Sequence, residues 1–159
     1  MLFTERVSCG QLTPDDVGRQ VLLAGWVDAF RDHGGLLFIH LRDRSGIIQI
    51  VFSPEVAPAD VRQKAASLRA EYCIAVKGEV KKRLPGTENP NIETGNVEVL
   101  VTELTVLSES DALPFAITDK AMVAGAPSAG SDNVAEDLRL QYRYLDLRRP
   151  SMRDNLMAR

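Results

Sequence analysis

The chain has 159 residues, enough for one domain with an appended segment. Its 45% hydrophobic and 26% charged residues exclude global disorder, a collagen-like chain and a coiled coil, and no run of roughly 18 apolar residues offers a membrane span. A formal net charge of −3 argues against indiscriminate coating of DNA but leaves room for a shaped nucleic-acid site with local positive charge.

The first residues, Met1 to Leu12, lack the charged-then-apolar pattern of a signal peptide, which points to the cytoplasm. Thr13 to Gly18 predicts one helical turn: Thr13 caps it, Pro14 suits the first helical position and Gly18 ends it. Gln20–Phe30 is a strand, Asp32–Gly35 a turn and Leu36–Arg42 a second strand, so the two strands form a hairpin. Asp43–Gly46 is another turn and Ile47–Phe52 a third strand. Pro58–Arg69 reads as a helix, with Val61, Ala65 and Leu68 on one face. Glu71–Arg83 is a fourth strand. Leu84–Asn96, with Pro85-Gly86 and Asn89-Pro90-Asn91, has loop chemistry. Val97–Leu107 is a fifth strand whose alternation slips phase near Thr102, as at a bulge.

Three strands, a helix and two strands predict an all-β domain: a five-stranded Greek-key barrel of the OB type, with one helix between strands 3 and 4. A ferredoxin-like sheet wants a second helix between strands, and none is found. Residues 1–107 are assigned to this barrel and 108–150 to a partly helical linker or hinge, punctuated by Pro114, Gly125, Pro127 and Gly130. Within the hinge Ala135–Leu147 is compatible with a helix. Residues 151–159 open another helix that meets no stop signal, so the chain reads as a piece of something longer. Charge is uneven: Glu103 to Asp137 holds seven acids and one base, Arg139 to Arg159 six arginines and two aspartates. Lys77, Lys81, Lys82 and Arg83 form a short basic stretch against Glu79. Each patch is either a solvated surface or part of a nucleic-acid footprint.

Alternation along the second strand puts Leu37, Ile39 and Leu41 on one face and Leu36, Phe38, His40 and Arg42 on the other. The uniformly aliphatic face is the expected core. Phe38 then points outward beside His40 and Arg42. In the third strand Ile48, Ile50 and Phe52 face inward and Gln49 lies opposite. A surface aromatic with basic and amide neighbours on an OB sheet is a stacking platform for unpaired bases. Gln49 carries both donors and an acceptor for a base edge. Arg31 and Arg42 hold phosphates or stack. The alternative for Phe38 is a small apolar cluster under the Leu84–Asn96 loop. Trp26 is expected to pack in or beside the core. His33, next to two glycines, is either a turn residue tolerating an unusual backbone or a nucleic-acid contact at the loop tip.

No catalytic constellation is legible. GxxxxGK[ST], GxSxG, HExxH and GxGxxG are absent. Asp28, Asp32 and Asp43 are best explained as residues flanking tight turns. Two histidines, His33 and His40, cannot assemble a multi-histidine metal site. Cys9 and Cys73 form no CxxC and read as small buried hydrophobes.

Gly25-Trp26-Val27, Arg31 to Ile39, and Leu41 to Gln49 together resemble the N-terminal anticodon-binding OB domain of bacterial aspartyl-tRNA synthetases. Gln141-Tyr142-Arg143-Tyr144-Leu145-Asp146-Leu147-Arg148-Arg149-Pro150 resembles the hinge that follows it. The likeness spans almost the whole chain. The first motifs are shared loosely with asparaginyl and lysyl relatives, and the second is more specific to the aspartyl branch.

The resemblance implies a domain that grips the anticodon loop of tRNA. Phe38 matches a phenylalanine stacked under the middle uracil, Gln49 a glutamine reading an anticodon base, and Arg31 an arginine of the first hairpin. Glu98 matches a glutamate near the first anticodon base. Lys81 and Arg83 fall where the family often has basic residues facing RNA, whereas Ala29 and Phe30 stand where its hairpin often holds further arginines. Non-discriminating bacterial members, which charge both tRNA(Asp) and tRNA(Asn), are similar to this chain in having His-Gly at His33 and glycine at Gly86; discriminating members often have leucine at the position of His33. The partners implied are therefore tRNA(Asp) and tRNA(Asn), with no membrane. The parent enzyme uses ATP and Mg²⁺ in a class II catalytic domain after the hinge and works as a homodimer. The fragment should bind without catalysis, need no cofactor or metal, and be monomeric. The rival expectations are a free-standing single-strand-binding OB protein, a protein-interaction module, and an asparaginyl or lysyl relative.

Overall fold

The computed structural model describes residues 5–117 and 134–159. They fall into two compact units, divided between Ser110 and Asp111. The expected linker positions Gly125, Pro127 and Gly130 lie outside the described residues.

In the first unit five strands close a barrel: β1 (Gln20–His33), β2 (Leu36–Arg42), β3 (Ile47–Phe52), β4 (Cys73–Lys82) and β5 (Val97–Ser108). Their order is β1-β2-β3-β5-β4, with β3 and β5 parallel and the other neighbours antiparallel. One helix, α1 (Ala59–Ala66), separates β3 from β4. This is the expected OB architecture. Ile39, Leu41, Ile48, Ile50, Phe52, Val97 and Val99 are fully buried, joined in the core by Val61 and Ala65 of α1 and by Leu68. Burying each large aliphatic contributes about 1.5–3 kcal/mol.

β2 and β3 have the predicted limits. β1 runs on to His33, so the hairpin turn is only Gly34 and Gly35, at φ +63° and +93°. Positive φ at both positions is what a type I′ turn requires. Asp32 accepts the Gly35 N–H at 3.1 Å. His33 is therefore an extended strand-end residue, which corrects the reading of it as a turn residue. Before the barrel, a 3₁₀ turn at Pro14–Asp16 occupies the predicted position, with Asp16 accepting the Thr13 N–H at 3.0 Å.

Three register shifts shape the barrel, at Thr102, Asp28 and Leu107. Thr102 is the extra residue between the pairs Lys77–Glu103 and Gly78–Val101, as its phase slip predicted, and its hydroxyl donates to the Lys77 carbonyl at 3.1 Å. Opposite it, a Cβ on Gly78 would lie 2.2 Å from the Leu100 carbonyl, so the strands approach there only because residue 78 is glycine. The second bulge, at Asp28, was not anticipated: Val27 pairs with Leu41 and Ala29 with His40. Val27 and Phe30 then both pack on the core, and Trp26, expected in or beside it, stands outside and is 41% exposed.

α1 is shorter than expected because Pro58 is extended, at ψ 154°, and the helix gives way at Ser67. β4 begins at Cys73 because Glu71 turns the chain at φ +66°. Cys9 is fully buried, and burial raises its thiol pKa; Cys73 is only partly buried, which corrects its assignment to the interior.

The second unit contains α2 (Glu136–Gln141), α3 (Arg143–Asp146) and α4 (Pro150–Met157). The single helix expected over Ala135–Leu147 breaks at Tyr142, at φ −109° and ψ 47°. Asp146 is fully buried and takes Arg139 at 3.1 Å, Arg143 at 2.6 Å and Arg149 at 2.9 Å. Burial opposes its ionisation, but Arg139 and Arg149 hold its carboxyl below the ordinary range. The Arg-rich string around Asp146 thus organises its own segment. Pro150 opens α4 close to the predicted start.

Candidate nucleic-acid interface

The barrel register assembles one line of polar residues across its outer surface. His40 of β2 pairs with Gln49 of β3, Gln49 with Glu98 of β5, and Glu98 with Lys81 of β4. Two residues along β2, toward the hairpin tip, Phe38 stands opposite Arg31. Because side chains alternate at period 2, Phe38 and His40 face the same way. Phe38, His40, Gln49, Glu98 and Lys81 are all half-buried, while Arg31 and His33 are exposed. Six of the nine predicted site residues therefore lie on these paired positions: Arg31, Phe38, Gln49, Glu98 and Lys81, with His33 at the end of the hairpin.

The contacts fix several of these side chains. The His33 ring meets Phe38 edge-on, centroids 5.9 Å apart and planes at 71°. This arrangement suits the ring quadrupoles and leaves Phe38 outside the barrel's apolar cluster. Gln49 Nε2 donates to Glu98 Oε2 at 2.8 Å. His40 stands across the β2–β3 pair from Gln49; burial lowers its pKa, Arg31 and Arg83 lower it further, and Asp28 and Gln49 oppose them. Lys81 is ion-paired with Glu79 while remaining 43% exposed.

Gly86 lies exposed on the loop between β4 and β5, at φ +86°, with its N–H donating to Glu88 at 2.7 Å. No atom lies within 4 Å of where a Cβ would stand. The loop leaves β4 at Lys82 and rejoins β5 at Val97, so both its ends lie at the Lys81–Glu98 end of the line.

Two predicted contacts are corrected. Arg42 was expected to hold phosphate or stack on a base. Its guanidinium instead pairs with Asp28 and, at 2.8 and 3.0 Å, with Glu71, tying the β1 bulge to the turn before β4. Arg83 was expected to face RNA. It is only 4% exposed and donates to the carbonyls of Val97, at 3.1 Å, and Thr87, at 3.3 Å, so it closes the base of the Leu84–Asn96 loop. Burial lowers its pKa, against the charge of Glu98.

Asp28, Asp32 and Asp43 do not share a site. Asp32 serves the hairpin turn and Asp28 pairs with Arg42. Asp43 accepts from Ser45, Gly46 and the Cys9 N–H, and these bonds outweigh burial and lower its pKa. Among the described residues no group of three or more His, Cys, Asp or Glu side chains is placed to hold a metal ion. No described helix is long and apolar enough to cross a membrane.

Sequence reasoning placed His40 on this face but gave it no role. The signal available was its register opposite Gln49. An open groove of about 890 Å³ lies elsewhere, beside Trp26, Arg6, Arg44 and Leu107, and none of the predicted site residues lines it. Base stacking uses an open sheet face and needs no cavity at Phe38.

Known proteins resemble the chain over the same stretch. A family described as an OB-fold nucleic acid binding domain, tRNA anti-codon, matches residues 21–107. The whole chain is 79% identical to an aspartate–tRNA(Asp/Asn) ligase 1 of Syntrophus aciditrophicus, covering 22% of it. Over 95% of the chain it is 52% identical to an aspartate–tRNA(Asp/Asn) ligase of Caldanaerobacter subterraneus, covering 24% of that protein. The crystal structure of an asparaginyl-tRNA synthetase from Pyrococcus horikoshii, complexed with asparaginyl-adenylate, matches with a TM-score of 0.71 at 29% identity, over 92% of this chain and 30% of that one. The chain thus spans under a quarter of the length of these two ligases. With a closed five-stranded barrel and the family match covering strands β1 to β5, the chain belongs to the anticodon OB-fold family of nucleic acid binding domains.

Proposed function

We propose that this chain is the anticodon-reading part of an aspartate–tRNA ligase that accepts both tRNA(Asp) and tRNA(Asn). The observation that carries this reading is Phe38: a half-exposed ring on the outer barrel face, flanked by Arg31 and by the Gln49–Glu98 pair. An unpaired base stacks on Phe38, the Gln49 amide meets a base edge, and Arg31 and Lys81 draw the phosphates. Glu98 accepts from a base amino or imino group at the first anticodon position.

The printed names of the ligases in Syntrophus and Caldanaerobacter support the dual specificity. His33 supports it too, since its ring lies against the stacking residue at the hairpin end. The two tRNAs differ at the third anticodon base, C against U. A small polar tip at His33 and an open loop at Gly86 accept either pyrimidine.

Under this reading residues 1–107 bind RNA, 108–150 form the hinge and 151–159 begin the class II catalytic domain. Aspartate activation with ATP and Mg²⁺, and transfer to tRNA, belong to that further domain in the cytoplasm, as does the homodimer contact. No step involving ATP or Mg²⁺ falls on residues of this chain, which binds as a monomer.

The test is binding of the chain to RNA stem-loops with anticodons GUC, GUU and UUU at two salt concentrations. Binding to GUC and GUU above UUU, weakened by salt, is expected. Equal binding to all three identifies a general single-strand binder, and salt-insensitive binding or none favours a protein-docking role.

A further inference from the structure

Gln49 lies between His40 and Glu98 in the barrel register and is hydrogen-bonded to Glu98. A carboxylate only accepts, so the Gln49 atom at 2.8 Å from Glu98 Oε2 is the amide nitrogen. Gln49 Oε1 must then point away from Glu98. The register puts Glu98 on one flank of Gln49 and His40 on the other. Oε1 is thus the Gln49 atom that faces the His40 side, and it can only accept, so a ring N–H is the group that complements it there.

A glutamine amide read from the other side exchanges donor for acceptor. Its selectivity for a base depends on that orientation being held, because uracil and cytosine present opposite donor–acceptor patterns on the pairing edge. Gln49 is a half-buried side chain bonded to Glu98 on one flank and paired across the strands with His40 on the other. We propose that His40 is a positioning residue, which together with Glu98 locks the Gln49 amide in one orientation and so fixes the base edge that Gln49 accepts. The inference rests on the reading that this face takes an anticodon loop. His40 itself touches Gln49 and acts through it.

The groups around His40 fit this task. Asp28 and Arg31 of β1, Gln49 of β3 and Arg83 after β4 act on it, and Glu98 of β5 lies beyond Gln49. Two of them, Arg31 and Arg83, oppose a second proton on the ring. A singly protonated ring donates one bond and has one consistent partner, Oε1.

The experiment measures binding of the full chain to the GUC stem-loop and to three stem-loops each changed at one anticodon position. Variants are His40→Leu, His40→Asn, Glu98→Gln, Gln49→Ala and the double change His40→Leu with Gln49→Ala. His40→Leu should reduce discrimination at one anticodon position about tenfold, within the range a well-placed base contact supplies. Glu98→Gln should reduce it at the same position, and His40→Asn, which keeps a donor, should restore most of it. The double variant should discriminate no worse than Gln49→Ala alone. An added loss in the double variant, or undiminished discrimination in His40→Leu, overturns the proposal. If the unaltered chain binds none of the RNAs, the anticodon reading itself has failed, a result distinct from either. Melting curves of each variant separate misfolding from lost selectivity, and His40→Asn keeps the test open if His40→Leu does not fold.

Discussion

The ring of His33 stands edge-on to Phe38, with centroids 5.9 Å apart. One residue is the candidate stacking platform and the other the hairpin-end residue proposed to act in the choice between the two tRNAs. Their contact means that a change at residue 33 reaches the face proposed to take a base. His33→Leu removes a ring that donates and accepts hydrogen bonds and leaves an aliphatic contact. GUU binding should fall about tenfold relative to GUC, within the range of one base contact. Competition binding of the two stem-loops checks it. An unchanged GUU/GUC ratio assigns His33 no part in the choice.

Arg42 is expected to matter for stability and not for RNA. Its guanidinium neutralises Asp28 and Glu71, whose side chains are only 11% and 8% exposed. Arg42→Ala removes the cation that these two carboxylates share in a partly buried setting. Loss of roughly 2–4 kcal/mol follows, because removing one member of a buried ion pair costs more than the pair contributes. Urea unfolding measures the loss, and the ratio of GUC to UUU binding at low temperature should be unchanged.

His40 makes stability depend on pH in a defined direction. Burial, with Arg31 and Arg83, lowers its folded pKa below 6.5, against Asp28 and Gln49. The unfolded chain therefore takes up a proton near pH 6.5 while the folded chain does not. Stability is full above that value and is lost as the pH falls below it, down to the folded pKa. Unfolding curves from pH 7.5 to 5 should show a steeper loss for the unaltered chain than for His40→Asn. Equal slopes contradict this.

Arg83 and Arg31 should separate by salt. Arg83 is inside, bonded to the Val97 and Thr87 carbonyls, and Arg31 is exposed beside Phe38. Arg31→Ala should lower the slope of log affinity against log salt by about 0.7, the value for one phosphate on a single strand. Arg83→Ala should leave the slope unchanged. It should instead cost roughly 1–3 kcal/mol and speed amide exchange in the Leu84–Asn96 loop.

What the sequence carried was local. β2 and β3 were legible to the residue because Leu37, Ile39 and Leu41, then Ile48, Ile50 and Phe52, alternate without interruption between turn residues. The Thr102 bulge was legible as a phase slip. The Asp28 bulge was not, since Trp-Val-Asp-Ala-Phe reads as plain alternation, and so Trp26 was turned the wrong way. Phe38, Gln49 and Arg31 could be placed from period 2 alone. The roles of Arg42 and Arg83 depend on Glu71 and on the Val97 and Thr87 carbonyls, partners reached only when the strands close. The His40–Gln49–Glu98 line depends on a parallel β3–β5 pairing that no local pattern encodes.

Phe38 bears most directly on the RNA-binding reading. Affinity of the chain for the GUC stem-loop, measured for Phe38 and for Phe38→Ala at one fixed salt concentration, isolates the stacking of a base on this ring. Stacking on an aromatic is worth about 1–3 kcal/mol per base, so the predicted loss is between about fivefold and two-hundredfold, with the folded state intact by melting. Unchanged affinity in a folded Phe38→Ala variant would contradict base stacking on this face.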